Sequence, residues 1–525
     1  MTAGRYAAIV IGGGHNGLVA ASYLARAGKR TLLLEASDRL GGMAAEHEFG
    51  PDHSAAFAPM MCPLSAGIVR DLGLAAHGYG APQPIETTSL LPDGRVLRLS
   101  PSDDATRQSI AQVSARDAEA YGPFRARMAR LAGALAPFLD RTPPRVTVQS
   151  WRESWRESWS GRLGLAGLAV ALRRMGRDDM RDLMRIIAMN VWDLAEEVFE
   201  SPAVRGLICF DAVLGNMFGP RSPNTVFTLL HRTAQGEPGL PPGGVASLID
   251  SLQRAARAHG VEIRTAARVA RIDIAGEQVK GITLEDGQRF EADLILSSAH
   301  PKHTLLDLAG PAHLDADFAR EVRFATDRGA NARVDLIVEA APDGAVRQAL
   351  ARGRIVIAPD PDMLERTFDE AKYRALPSSL PLEAISPTLL AGGTGQHLVS
   401  ITLQYAPATL RDADWADHRE DLVARAIAAL EPHWPKLAKF VVAARAATPQ
   451  DIAIATGSPN GHWHQIELGL HQAFMLRPVP GWAQYRTAVA GLYLCGAGTH
   501  PGGGLSGRPG ANAARQALAD LKRLG

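Results

Sequence analysis

The sequence predicts an α/β fold, and three observations predict it. A strand, a glycine-rich turn, a helix and a second strand follow one another within about 30 residues at the N-terminus. A strand, a glycine-rich loop and a helix close the chain. Between them, strands alternate with long helical stretches over a length suited to more than one folding unit, 525 residues in all.

The first unit runs Tyr6-Ala-Ala-Ile-Val-Ile11, a short buried strand, then Gly12-Gly-Gly-His-Asn-Gly17. Leu18 to Ala27 is rich in Ala and Leu and reads as a helix ended by Gly28, and Arg30 to Glu35 reads as the second strand. From about Ser102 to His231 the chain reads as mainly helical, broken at Pro137 and at Pro143-Pro144. Val245 to Ala258 reads as a helix, and strands are expected at Val261 to Thr265, Ala267 to Ile274, Val279 to Leu284 and Asp293 to Ser298. Asp286-Gly287 supplies a hairpin turn. Further on, Ala332 to Glu339 and His397 to Tyr405 read as sheet strands, Leu376 to Pro387 as loop, and Trp415 to Leu430 as a helix. Leu492 to Cys495 is the last strand, 496–510 a glycine-rich loop, and Ala511 to Leu524 the last helix.

Composition excludes several classes of function. Apolar residues make up 46% and charged residues 21%, ordinary for a soluble protein, and the formal charge is +1. No field of that size calls for nucleic acid. The three cysteines, Cys62, Cys209 and Cys495, form no C-x-x-C pair, so redox chemistry falls to a bound cofactor rather than thiols. The first strand leaves no room for a signal peptide, and the longest apolar run, Leu163 to Leu172, is too short to span a bilayer. A cytoplasmic protein is expected, with membrane association and a homo-oligomer left open.

Gly12, Gly14 and Gly17 satisfy G-x-G-x-x-G after a strand and at the opening of a helix. The first glycine permits the tight turn, the second lets main chain approach a diphosphate, and the third allows close helix–strand packing. The helix N-terminus, at His15 and Asn16, offers free N–H groups to an anion. Glu35, followed by Ala36, ends the second strand where a carboxylate would accept bonds from ribose hydroxyls. A glycine turn alone can be purely structural, and this motif does not separate FAD from NAD.

Beyond the acid comes Ser37-Asp-Arg-Leu-Gly-Gly42-Met43, whose glycine pair lets main chain pass an extended ligand. Arg39-x-Gly41-Gly42 resembles FAD enzymes of the glutathione-reductase-like superfamily, especially the amine-oxidase and phytoene-desaturase branches. The closing stretch Gly491-Leu-Tyr-Leu-Cys-Gly-Ala-Gly-Thr-His-Pro-Gly-Gly-Gly-Leu-Ser-Gly507 is similar to the last motif of phytoene-desaturase-like flavoproteins. Taken with Gly13 to Gly17, Ser458 to His464 and Gln472 to Pro478, it best resembles the branch named for a pyridine nucleotide-disulphide oxidoreductase domain.

The resemblance implies a glutathione-reductase-like, FAD-binding Rossmann domain plus a substrate domain of mixed sheet and helical cap. The FAD domain would comprise 1–75, 236–305 and 481–525. The substrate domain would take 76–235 and 306–480, with 102–231 as the cap. It assigns the glycine cradle to the diphosphate, Glu35 to the ribose and Arg39 to the adenosine part. Gly41, Gly42 and Met43 would run toward the flavin, and Val269 would meet adenine through its backbone. Gly496 and Gly498 would approach the ribityl phosphate, and Leu505, at the start of the last helix, the flavin pyrimidine edge. A helix N-terminus there would stabilise the charge of reduced flavin. Many relatives carry an acid where this chain has Ala497, so a backbone contact would replace it.

The function implied is hydride transfer between an apolar, hydrophobic small molecule and flavin, with oxygen or a quinone as acceptor. A flavin amine oxidase is the first alternative, although the seven lysines place none evidently beside the flavin. A flavin-containing assembly protein with little turnover is the second. His464 and His500 are candidates for a base or an orienting group; no catalytic residue is assigned. His462, His464 and His471 lack further ligands at metal spacing, so no metal is expected. Trp151, Trp155 and Trp159 share a helix face, which packing explains better than a lipid anchor because Glu153 and Glu157 interrupt the arginines beside them.

Overall fold

The computed structural model describes residues 2–49, 53–144, 173, 175–339, 342 and 344–524. The tryptophans at 151, 155 and 159 and the apolar run 163–172 lie outside these. Among the described residues, no helix is long and apolar enough to cross a membrane.

Five short strands form a fully parallel sheet in the order Glu262–Arg264, Thr31–Leu34, Ala8–Ile11, Ile295–Ser297, Leu492–Leu494. Strands buried on both faces read as continuous apolar runs, as AIVI and TLLL do. Helices cover the faces: His15–Arg26 lies beside Arg508–Leu524, so the two ends of the chain pack together. Gly510 makes this approach possible, because a Cβ there would stand 2.1 Å from the Asn16 carbonyl oxygen. A four-stranded sheet, Thr2–Arg5, Arg289–Glu291, Gln278–Leu284 and Val269–Ala275, packs against the other side.

A seven-stranded sheet runs Val441–Ala447, Asn331–Val338, His397–Gln404, Leu382–Ile385, Gly353–Ile357, Glu86–Leu90, Val96–Leu99. Its alternation divides two environments. One face, with Val334, Leu336, Ile355, Leu382 and Ile401, packs on the helices Gly344–Arg352 and Arg419–Leu430. The other face carries Arg333, Asp335, Arg354, Glu383, Ser400, Thr402 and Gln404, all buried. Above the polar face stand helices Ala115–Leu139, Pro202–Val213 and Thr225–Gln235, joined in an apolar cluster around Phe124, Leu131, Phe210 and Leu230.

Three readings of the sequence are corrected. Ala115–Leu139 continues through Pro123 and Pro137. Its buried face, Phe124, Met128, Leu131 and Leu135, holds the helix despite the missing donors, and Pro137 falls in the last turn. The stretch Leu376 to Pro387 contains the strand Leu382–Ile385, paired on both sides, with its prolines bracketing rather than interrupting it. The last helix begins at Arg508, three residues ahead of the expected Ala511, and Leu505 stands outside it rather than at its start. Leu505 (φ 56°) and Gly507 (φ 67°) are left-handed, a conformation no right-handed helix accommodates.

Candidate functional site

One cavity of about 320 Å³ runs from the glycine turn to the polar face of the large sheet. That is within the usual size range for a small-molecule site.

At one end, Gly12, Gly14, His15 and Asn16 line it, with Glu35, Ala36, Ser37, Arg39 and Val269. Gly17 stands behind them: a Cβ on it would lie 1.9 Å from the Gly12 carbonyl oxygen. Gly14 is different. A Cβ there would meet nothing nearer than the Gly41 carbonyl at 3.9 Å, so the residue faces open cavity. The helix His15–Arg26 has no side-chain cap and no acid in its first turn, which leaves its positive end unneutralised. Glu35 accepts bonds from the Gly13 N–H at 2.6 Å and the Ser37 N–H at 2.8 Å, fixing its carboxylate at the turn. Gly41 donates to the Gly13 carbonyl at 3.0 Å, so the second glycine pair lies against the first turn. An uncapped helix end, a facing glycine and a fixed acid together fit an adenine dinucleotide.

The middle is lined by Gly41, Gly42, Met43, Met60, Met61, Cys62, Gly504 and Leu505. Main-chain pairing from Cys62 N–H to the Gly504 carbonyl, 3.1 Å, joins the two distant segments. Gly496 and Gly498 do not line the cavity. They allow close packing, since a Cβ would stand 2.3 Å from the Ser298 carbonyl oxygen and 2.5 Å from Pro301 respectively. Burial pushes the Cys62 thiol up, even with Arg232 and Arg508 nearby, and Cys495 is buried in the core.

The two candidate histidines separate. His464 lines the cavity, and its Nδ1 accepts from the Gly503 N–H at 3.1 Å, which puts the ring proton on Nε2. Burial, with His462, His231 and Arg477 close by, holds it well below the usual imidazole range. His500 is buried away from the cavity lining and donates from Nε2 to the Phe138 carbonyl at 2.9 Å, tying the cap to the C-terminal loop. Among the described residues no group of three metal-ligating side chains converges.

Sequence reading missed one group. Thr228, His231, Arg232 and Gln235 line the far part of the cavity from the helix Thr225–Gln235. Their spacing, i, i+3, i+4 and i+7, was the available signal: a polar stripe on a helix otherwise built from core residues. His231 donates from Nε2 to the Pro501 carbonyl at 2.9 Å, and Gln235 donates to the Gly503 carbonyl at 2.8 Å. Asp211 and Glu383 complete this end. Burial alone would raise Asp211, but Arg354 and Arg232 hold its carboxyl below the ordinary value.

The comparisons with known proteins agree with this geometry on a class: FAD-dependent oxidoreductases of the dehydrogenase or oxidase type, of which this chain is one. Within that class it belongs to the family described as flavin containing amine oxidoreductase, which residues 17–323 match, more than half of the chain. It is 31% identical to pyridine nucleotide-disulfide oxidoreductase domain-containing protein 2 of Rattus norvegicus, over 99% of this chain and 94% of that protein. A lycopene-forming phytoene desaturase of Pantoea ananas is 26% identical, over 95% and 96% of the two chains. Among solved structures, cyclohexylamine oxidase from Brevibacterium oxydans superposes with a TM-score of 0.58 at 16% identity, covering 99% and 100%. Putrescine oxidase gives 0.58 at 14%, covering both chains in full. These two establish a shared α/β fold of mixed sheets and helices.

Proposed function

We propose that FAD lies along the cavity with its adenosine at the Glu35 end and its ring system beside Met43 and Leu505, facing a chamber for a hydrophobic small molecule. The parallel sheet and its glycine turn would be a Rossmann-type domain of the glutathione-reductase-like kind. That domain would be built from 1–75, 236–305 and 481–525, with 76–235 and 306–480 as the substrate domain. The observation that carries the reading is continuity. Gly14, Glu35 and Val269 share one cavity wall with Gly42, Met43 and Leu505.

In this reading the first turn of His15–Arg26 binds the diphosphate, and Glu35 and Arg39 orient the adenosine. Gly41 to Met43 and Gly504-Leu505 form the walls against the ring system. When bound, FAD supplies two-electron acceptance of hydride from carbon. Met60, Met61, Leu214, Trp463 and Leu468 keep water from the reacting carbon and pack its skeleton. His464, with its Nδ1 occupied, presents Nε2–H as a donor that orients a substrate oxygen rather than as a base. Oxygen or a quinone would take the electrons on. None of the seven lysines lines the cavity, which favours oxidation at carbon over the amine-oxidase arrangement.

Gly14→Val tests the reading. Its φ of −69° suits any residue and its Cβ meets open space, so the variant folds. The side chain would occupy the diphosphate position. The expected result is a colourless protein with the thermal midpoint of FAD-stripped wild type. A variant that keeps stoichiometric FAD overturns the reading.

A further inference from the structure

The far end of the cavity holds more charge than an apolar substrate needs. Arg354, 4% exposed, binds Asp211 through two contacts of 2.6 and 2.8 Å and Glu383 at 3.1 Å. Asp211 is therefore already matched by Arg354, whose Nη2 donates to both of its oxygens. Arg232, on the cavity wall, reaches the same carboxylate only at 3.6 Å, outside hydrogen-bond distance. Thr402 links this group to a second one, accepting from Arg333 and donating to Glu383 at 3.4 Å. There Arg333 lies 3.7 Å from Asp335, which Arg445 also contacts at 3.2 Å. Arg333 is 2% exposed, yet its Nε and one Nη have no hydrogen-bond acceptor. The linked set holds four guanidinium groups against three carboxylates. What it lacks is one anion and several acceptor atoms.

We propose that the substrate of this cavity carries a carboxylate, and that Arg232 holds it. This rests on the flavin reading above and adds the substrate's chemical class: an apolar skeleton whose reacting carbon lies between Met61 and Leu505, with a monoanionic head at the Asp211–Arg232 end. A carboxylate completes the charge of the set and supplies two acceptors to a planar fork. A phosphate dianion would overcompensate and would sit against Asp211 and Glu383. An ammonium group would add a fifth cation to a set already one anion short, and the carboxylates it would meet, Asp211 and Glu383, are already held by Arg354.

The test uses the FAD-loaded protein titrated with decanoate, decan-1-ol and decylammonium, read by thermal shift and by perturbation of the visible flavin band. Decanoate is expected to bind at least about tenfold tighter than the other two, the scale of one charge-assisted bidentate contact. Arg232→Gln removes that preference, and Arg232→Lys restores part of it. Equal binding of the three, tighter binding of decylammonium, no binding of decanoate, or unchanged decanoate affinity in Arg232→Gln each overturns the proposal. Should Arg232→Gln fail to fold, the wild-type series and Arg232→Lys decide. FAD content is measured first for every protein. A colourless wild type contradicts the flavin reading, whereas a yellow protein indifferent to the carboxylate contradicts this proposal alone.

Discussion

The two ends of the cavity are built by different means. The nucleotide end is made of main chain: glycines that permit approach, a helix terminus and one carboxylate, drawn mostly from residues 12–43. The substrate end is made of side chains, with Asp211, Arg232, Arg354 and Glu383 coming from two helices and two strands. Main-chain recognition constrains consecutive residues, whereas side-chain recognition can recruit from anywhere the fold brings together. In the proposed reading the first end would be general to a cofactor and the second particular to a substrate.

The largest effect is expected where main chain crowds the glycine turn. Gly17→Val would force a Cβ to 1.9 Å from the Gly12 carbonyl oxygen, which nothing but a shift of the turn can relieve. Unlike Gly14→Val, it should lose both FAD and the folded state, seen as insoluble protein or a collapsed thermal transition. A soluble variant with native FAD content would break the distinction between packing and facing glycines. At the side-chain end, Arg354→Met leaves buried Glu383 and half-buried Asp211 without their shared partner. The expected cost is about 3–5 kcal/mol, measured by denaturant midpoint, with FAD content retained. If FAD is lost as well, the two ends are coupled and the comparison fails.

How much was legible in the sequence follows from the same contrast. Gly12, Gly14, Glu35, Gly41 and Gly42 could be placed because their spacing is itself the geometry, and each lies on the cavity wall. The Thr228–Gln235 stripe showed only as a polar periodicity, and Asp211 and Glu383 not at all, because nothing local distinguishes a charge that meets a partner 143 residues away from a solvated one. Gly496 and Gly498 were placed at the ligand by resemblance, while the structure uses them against Ser298 and Pro301. A close approach to backbone and a close approach to ligand leave the same letter. Leu505 was set at the start of the last helix for a similar reason: its left-handed conformation carries no mark in its residue type.

Glu35 sharpens the comparison, being a charged side chain at the end built mainly of main chain. Glu35→Gln keeps the size of the group and can still accept the Gly13 or Ser37 N–H, so the turn should hold. What it loses is the charge that strengthens bonds from ribose hydroxyls. FAD affinity is expected to fall about tenfold, about 1.4 kcal/mol, by titration of the stripped protein. Loss far beyond that would mean the carboxylate maintains the turn itself.

The smallest effect concerns four buried histidines. Burial pulls His231 and His462 down to about 3, and His300 and His500 down to about 4. Their unfolded value is about 6.5. Each is therefore neutral when folded, and the unfolded chain binds more protons between these values. Stability from this source is fully present above pH about 6.5 and is lost as pH falls toward 4. One such group contributes up to about 1.4 kcal/mol per pH unit inside that window. His500→Gln isolates it, since the amide can keep donating to the Phe138 carbonyl while removing the titration. The variant's thermal midpoint should fall less steeply than wild type between pH 6 and 4.5, by roughly 1–2 °C per unit. Parallel curves would mean that His500 stays neutral in both states or charges without cost. Burial between the cap and the C-terminal loop would then not be what holds it down.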